Sequence, residues 1–347
     1  MTERDKFTPA SNPAVPAKGG WLKHAIGLAI TVLCVVVIAR MVNFNEVVDA
    51  LEHFHWPYLV LGIAFLAFGY CLRILRWSML LGATGAPVTF GNCVAPFLGS
   101  IALNNVLPLR VGDLVRALVF PTAMGVSKTT ATSSLVMERL IDLMTLLCCL
   151  AIGLFAIRTA VIPPMIANSA VSLAITGGII LAAGFLFSGA IARLLDRQAA
   201  TRTGKMANVL GTVASLFKGF AAMARPRILL MALVISMLVW VGESGLFYFV
   251  MLGFGLPATP LMALLVMAIA TLSTLVPSSP GYVGPFHLAA FAAISLVGGT
   301  AAQAGSYAVL CHLSLWLPTT LAGAVAILAR PGLFRNARRA STNEFVK

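Results

Sequence analysis

Of 347 residues, 59% are hydrophobic and only 10% are charged, and the mean hydropathy is +0.95. A soluble domain carries about 25% charged residues, so this composition excludes a water-soluble core and requires a bilayer as solvent. The net charge of +13 sits in short segments beside apolar runs, without interleaved aromatics. It reads as the positive-inside bias of a membrane protein, and no nucleic-acid partner is expected.

Residues 1–20, with Pro9, Pro13 and Pro16, read as a disordered tail. Beyond it, apolar runs near the length that crosses a hydrocarbon core of about 30 Å predict membrane helices. They fall at 22–42, 57–81, 133–157, 168–188, 228–252 and 304–328. The first is too long for a signal-peptide core and has Arg40 where a small-residue cleavage site is wanted, so it reads as a retained span. Two further stretches, 91–120 and 260–299, are apolar but broken. Lys and Arg number four up to residue 24, seven in 190–227 and five in 330–347, with none in 43–56 or 253–260. That distribution puts both termini and 190–227 in the cytoplasm.

Six spans already return the chain to the cytoplasm, so each broken stretch enters and leaves on one face, or both fully cross; legs of about 10–18 residues favour the first. The expected fold is an all-α integral membrane protein with about six full transmembrane helices plus two re-entrant helical hairpins. The membrane domain covers 21–330, with halves at about 57–157 and 228–328 joined through 168–227. A basic cytoplasmic tail follows at 331–347. The stretch 189–225 is either a positive-inside linker or an amphipathic segment on the inner leaflet.

The two breaks resemble each other. Residues 104–112 and 273–281 both run from two small polar residues through two aliphatics to a proline, Pro108 or Pro277, with a glycine four later, Gly112 or Gly281. Their flanking spans run in opposite directions, as in an inverted-topology repeat whose broken helices build a midplane site.

Ionisable residues in a bilayer need a partner or a purpose. Arg110, Asp113 and Arg116 follow the first break, where a loop opening into a helix offers free N–H groups and arginine offers a fork suited to phosphate. Surface arginines of a cytoplasmic loop are the plainer reading. Glu138, Arg139 and Asp142 share a helix face and either pair internally or clamp Arg110 and Arg116. Arg73 and Arg76 either snorkel to the interface or touch a lipid phosphate. Glu243, His287 and His312 are candidates for proton coupling or for polar links between helices. The second break carries no charge; it offers hydroxyls and the permissive backbone of Gly281 and Gly284. The six cysteines lie in or beside apolar runs without metal-ligand spacing, so neither a metal nor another cofactor is expected.

Together these segments resemble the membrane domain of lysylphosphatidylglycerol synthases and its stand-alone flippase-like relatives. The resemblance rests on Leu72–Trp77, Asn105–Arg116, Glu138–Asp142 and Pro277–Gly284, whose order and spacing cover roughly 22–330. Asp113 departs from the glutamate that the family often places there, and His287 stands near another family glutamate. The resemblance implies a translocase, not an enzyme, that moves a phospholipid or polyprenyl-linked headgroup between leaflets of a bacterial inner membrane. On that reading Arg110, Arg116 and Arg139 meet the phosphate while Asp113, Glu138 and Asp142 orient them. Two alternatives stand beside it: a non-catalytic partner of a lipid-biosynthesis enzyme, and an intramembrane lipid-modifying transferase.

Overall fold

The structure is a computed structural model and describes residues 44–107, 110–156, 164–276 and 278–334, with scattered positions between 29 and 40. The tail at 1–20, most of the span at 22–42, residues beyond 334 and the break prolines Pro108 and Pro277 lie outside the described residues. What is described is helical, without strands. In chain order the helices are α1 (Phe44–Glu52), α2 (Trp56–Ala83), α3 (Phe90–Val106), α4 (Val111–Leu118), α5 (Phe120–Ala123), α6 (Lys128–Ala156) and α7 (Pro164–Ala200). Then come α8 (Lys205–Met223), α9 (Pro226–Gly253), α10 (Pro260–Ser273), α11 (Pro285–Leu296) and α12 (Ala301–Ala329).

The inverted repeat is written into the helix ends. α2 and α9 are both 28 residues long and start at 56 and 226, a separation of 170 that holds to their last residues. Each is followed by a glycine of positive φ, Gly85 at 86° and Gly255 at 66°. Each turn ends on a threonine N-cap: the Thr89 hydroxyl accepts from the Asn92 N–H, and the Thr259 hydroxyl accepts from the Met262 N–H. Such caps satisfy one of the backbone donors left open at a helix start. The cap dihedrals agree, with φ of −116° at both threonines.

Packing repeats the same relation. α2 lies on α9, α3 on α12, and α10 on α6. Along α2 the partner steps backwards on α9: Gly62 faces Leu246, Gly69 faces Val239 and Gly242, and Arg76 reaches Ser236. The two helices are therefore antiparallel and meet through small residues that let backbones approach. Gly323 admits Leu98 against α12, and Gly153, 170 positions earlier, admits Leu265 against α6.

Each broken stretch is a pair of helices in contact. α3 and α4 are 17 and 8 residues long, α10 and α11 are 14 and 12. At 1.5 Å per residue even α3 reaches only about 25 Å, less than a hydrocarbon core. Gly112 is where α4 touches α3: a Cβ there would stand 1.8 Å from the Ser100 carbonyl oxygen.

Five described helices are long and apolar enough to cross a membrane: α2, α7 over 175–200, α8, α9 and α12. α6 has the length, at 29 residues, but carries Glu138, Arg139 and Asp142. Direction removes α8 from the crossing set. Ser133 of α6 bonds the Leu216 carbonyl of α8, and Met223 of α8 clusters with Met137 of α6, so α6 and α8 run the same way. α6 opposes α2, since Trp77 bonds Ser134 whereas Arg73 reaches Asp142. α8 and α9 thus run in the same direction, one ending where the next begins, and cannot occupy the same slab. α7, with 37 residues, is about 55 Å long. It passes through the slab and beyond, and α8 returns along it, held by the 2.8 Å pair of Lys218 and Asp196. The stretch 189–225 is accordingly a helical hairpin, the last turns of α7 packed against α8.

Candidate functional site

Tyr70 and Trp240 stand near the midpoints of α2 and α9, 170 positions apart. Both line a cavity of about 420 Å³. Three residues further on, Arg73 and Glu243 are again equivalent positions, and they pair with each other at 2.5 Å. Equivalent residues can touch only near the axis that relates the halves, so the cavity lies on that axis, at mid-depth.

The tips of the two hairpins close the cavity against each other. Arg110 donates to the Thr274 carbonyl at 3.3 Å and lies over the Tyr282 ring at 5.4 Å. The Trp316 indole N–H donates to the Asn105 carbonyl at 3.2 Å, and the Asn105 carboxamide donates to Thr319 and Thr320. Arg110 and Tyr282 have φ of 53° and 60° and are the non-glycine residues of positive φ among the described residues. Left-handed backbone costs an L-residue of this kind about 1–3 kcal/mol, and each tip places one such residue against the other.

Behind the cavity wall runs a buried ion network. Arg76, with none of its surface exposed, meets Asp142 and Ser236 at 2.5 Å and Glu138 at 3.6 Å. Arg116, 2% exposed, pairs with Glu138 at 3.1 Å and is held between Trp77 and Phe97, at 5.0 and 4.7 Å from the ring centroids. Arg139 donates to both Asp113 oxygens at 2.8 Å, and Asp113 is fixed from behind by the Asn104 carboxamide. Arg73 bridges Glu243 and, at 3.8 Å, Asp142. Thr271 and Trp240 join the polar set, Thr271 donating to Glu243 at 3.4 Å and the Trp240 N–H to Thr145 at 2.8 Å.

These placements sort the residues singled out in the sequence. Arg110, Arg139, Arg73, Asp142, Glu243, His312 and Gly281 line the cavity. Arg116 was expected at a headgroup phosphate, but its aromatic clamp and Glu138 hold it behind the wall. Arg76 was expected at the interface or at a lipid phosphate, yet it is the best-buried cation of the network, and Arg73 lies near mid-depth and does not snorkel. Glu138 and Asp142 take Arg116 and Arg76 as partners; Arg110 is clamped by neither. Asp113 stands behind Arg139, and Gly112 and Gly284 shape backbone. His312 donates from Nε2 to the Gly281 carbonyl at 2.7 Å, because a carbonyl can only accept. His287 packs on it with ring centroids 4.6 Å apart and accepts at Nδ1 from the Gly284 N–H at 3.4 Å. Glu243 belongs to the same cavity but pairs with Arg73, not with either histidine.

Sequence reasoning missed Tyr70, Asn104, Trp316, Thr271 and Thr274 as parts of the site. Asn104 and Thr274 had a signal, as small polar residues that open the two break motifs; the aromatics and Thr271 had none that set them apart from ordinary helix residues.

A model of the family described as lysylphosphatidylglycerol synthase TM region matches residues 24–323. No curated protein and no solved structure matches the chain.

Proposed function

Because the chain belongs to the lysylphosphatidylglycerol synthase TM-region family, a family of membrane proteins tied to lipid handling, we propose that it is a lipid translocase. On this reading it moves a phospholipid or lipid-linked headgroup between leaflets of the cell membrane. The headgroup occupies the midplane cavity while the acyl chains stay in lipid. The observation that carries the reading is the cavity itself: a space with charged side chains set in a mainly apolar wall, on the axis of an inverted repeat and closed by two short hairpins. That is where transporters of inverted topology hold their substrates, and charge at mid-depth is costly enough to call for a use. Alternating access follows if the two halves rock about the glycine seam of α2 and α9.

A transferase is less well supported by the same geometry. Each carboxylate in the wall is already engaged by an arginine, which leaves none free to act as a general base.

The test is headgroup accessibility in sealed proteoliposomes containing fluorescent phospholipids. Quencher added outside is expected to reach a larger fraction of label with the wild-type protein than in protein-free vesicles. Arg110→Ala and Arg139→Ala are expected to remove that increment. Quenching at the protein-free level across anionic, polyprenyl-linked and glycosylated lipids, with and without a proton gradient, would overturn translocation.

A further inference from the structure

Charge accounting around the cavity points to a narrower substrate, an inference that rests on the translocase reading. Five arginines (Arg73, Arg76, Arg110, Arg116 and Arg139) face four carboxylates. Each carboxylate lies within 4 Å of at least one arginine: Asp113 with Arg139, Glu138 with Arg116, Asp142 with Arg76 and Glu243 with Arg73. Arg110 alone among these arginines makes no ion pair; its partners are a backbone carbonyl and the face of Tyr282. The space therefore holds one uncompensated positive charge, on a side chain that lines the cavity.

The partners of Arg110 are weak and replaceable. A carbonyl at 3.3 Å and a ring at 5.4 Å compete poorly with a phosphate, whose oxygens match the guanidinium fork. The rest of the wall is largely apolar, with Leu140, Leu143, Leu146 and Leu315, and its uncharged polar groups are few, chiefly Asn105, Thr271, Thr274 and Thr319. These can bond hydroxyls. The wall's carboxylates, Asp142 and Glu243, are each already paired with an arginine, and burying an unpaired cation beside Arg73 and Arg139 is penalised by like-charge repulsion.

We propose that the cavity selects a lipid with one phosphodiester charge and an uncharged, hydroxylated headgroup, and that the phosphate takes Arg110 from Tyr282 and Thr274. Because Arg110 and Tyr282 sit on opposite hairpin tips, the exchange of partners removes a contact between the tips in the same step that fills the site. An aminoacylated headgroup bearing ammonium groups is disfavoured.

The experiment uses the full chain in detergent micelles, with binding read from intrinsic tryptophan fluorescence. Dihexanoyl phosphatidylglycerol is the probe, compared with its lysyl ester and with glycerol 3-phosphate. The uncharged-headgroup lipid is expected to bind at least tenfold more tightly than either. Arg110→Gln is expected to weaken it at least tenfold. Tyr282→Asn, which removes the competing ring while tolerating left-handed backbone, is expected to tighten it severalfold, a change that a purely structural contact would not produce. Thermal unfolding of each variant shows that it is folded. The selection is overturned by equal or tighter binding of the lysyl ester, by an unchanged affinity in folded Arg110→Gln, or by weaker binding in Tyr282→Asn. Glycerol 3-phosphate binding as tightly as the lipid would make this a soluble-phosphate site and overturn it too. Flux of the lysyl ester through wild type and Arg110→Gln alike would sink this selection and leave translocation standing. Selective binding without flux would do the reverse.

Discussion

The two halves share a backbone plan and differ in chemistry. At Arg76, Glu138 and Arg139 the first half carries charge; 170 positions later stand Leu246, Ala308 and Val309. Asp142 corresponds to His312, and only Arg73 and Glu243 are charged on both sides. The largest apolar cluster is built mainly from the second half, around Phe247, Met267, Phe286, Phe291 and Tyr307. The first half holds its helices with ions and the second with rings and small residues. Symmetry thus supplies the cavity's position, and departure from symmetry supplies what the cavity can bind.

The comparison is broken most severely at Glu138. Glu138→Ala leaves Arg116 buried without a carboxylate, and stripping one member from a buried pair costs about 3–5 kcal/mol. Unfolding in mixed micelles is expected to show that loss. Converting the pair to apolar residues, Arg116→Met with Glu138→Leu, makes the first half resemble the second and is expected to regain most of it. A single substitution costing under about 1 kcal/mol would mean that water, not Glu138, balances Arg116.

A smaller effect separates the hairpins. Gly112→Ala forces a methyl into the Ser100 carbonyl, a backbone atom that cannot swing away; overpacking of this kind costs about 1–3 kcal/mol. Gly281→Ala meets Trp316 at 3.1 Å and must hold φ at 75°, which costs about 1–2 kcal/mol. The first substitution is expected to be the worse, and the reverse order in micelle unfolding would show that the first hairpin is the more yielding.

The smallest effect tests where the halves agree. Thr89→Ala and Thr259→Ala each remove an N-cap bond worth about 1 kcal/mol. The two losses are expected to match within experimental error, and unequal losses would mean that the shared cap geometry is not a shared constraint.

Much of this was readable beforehand, and the reasons are specific. Apolar length located α2, α9 and α12, because lipid demands continuous apolar runs. Proline and glycine located the hairpins, because breaks in lipid need special backbone. The repeat had a stronger signature than the one used: Gly85-Ala-Pro-Val-Thr89 and Gly255-Leu-Pro-Ala-Thr259 mark the same turn and cap twice. Arg116 was misplaced because an arginine beside a break looks the same whether it faces a cavity or an aromatic clamp, and Trp77 and Phe97 come from other helices. Residues 205–223 were not read as a packed helix because their basic neighbours suggested a loop.

The overshoot of α7 divides those basic neighbours in two. Measured along the helix, Ala200 lies about 22 Å past Phe185, which packs with Leu80, Met137 and Ala232 of the membrane layer. In physiological salt a charged surface is felt over only about 8 Å. Arg225 and Arg227, at the start of α9, stand within about 11 Å of Ala232 along the helix, whereas Arg202 and Lys205, at the far turn, stand more than two screening lengths from that level. One block of positive sequence thus makes two electrostatic populations, too far apart for either to feel the other's field.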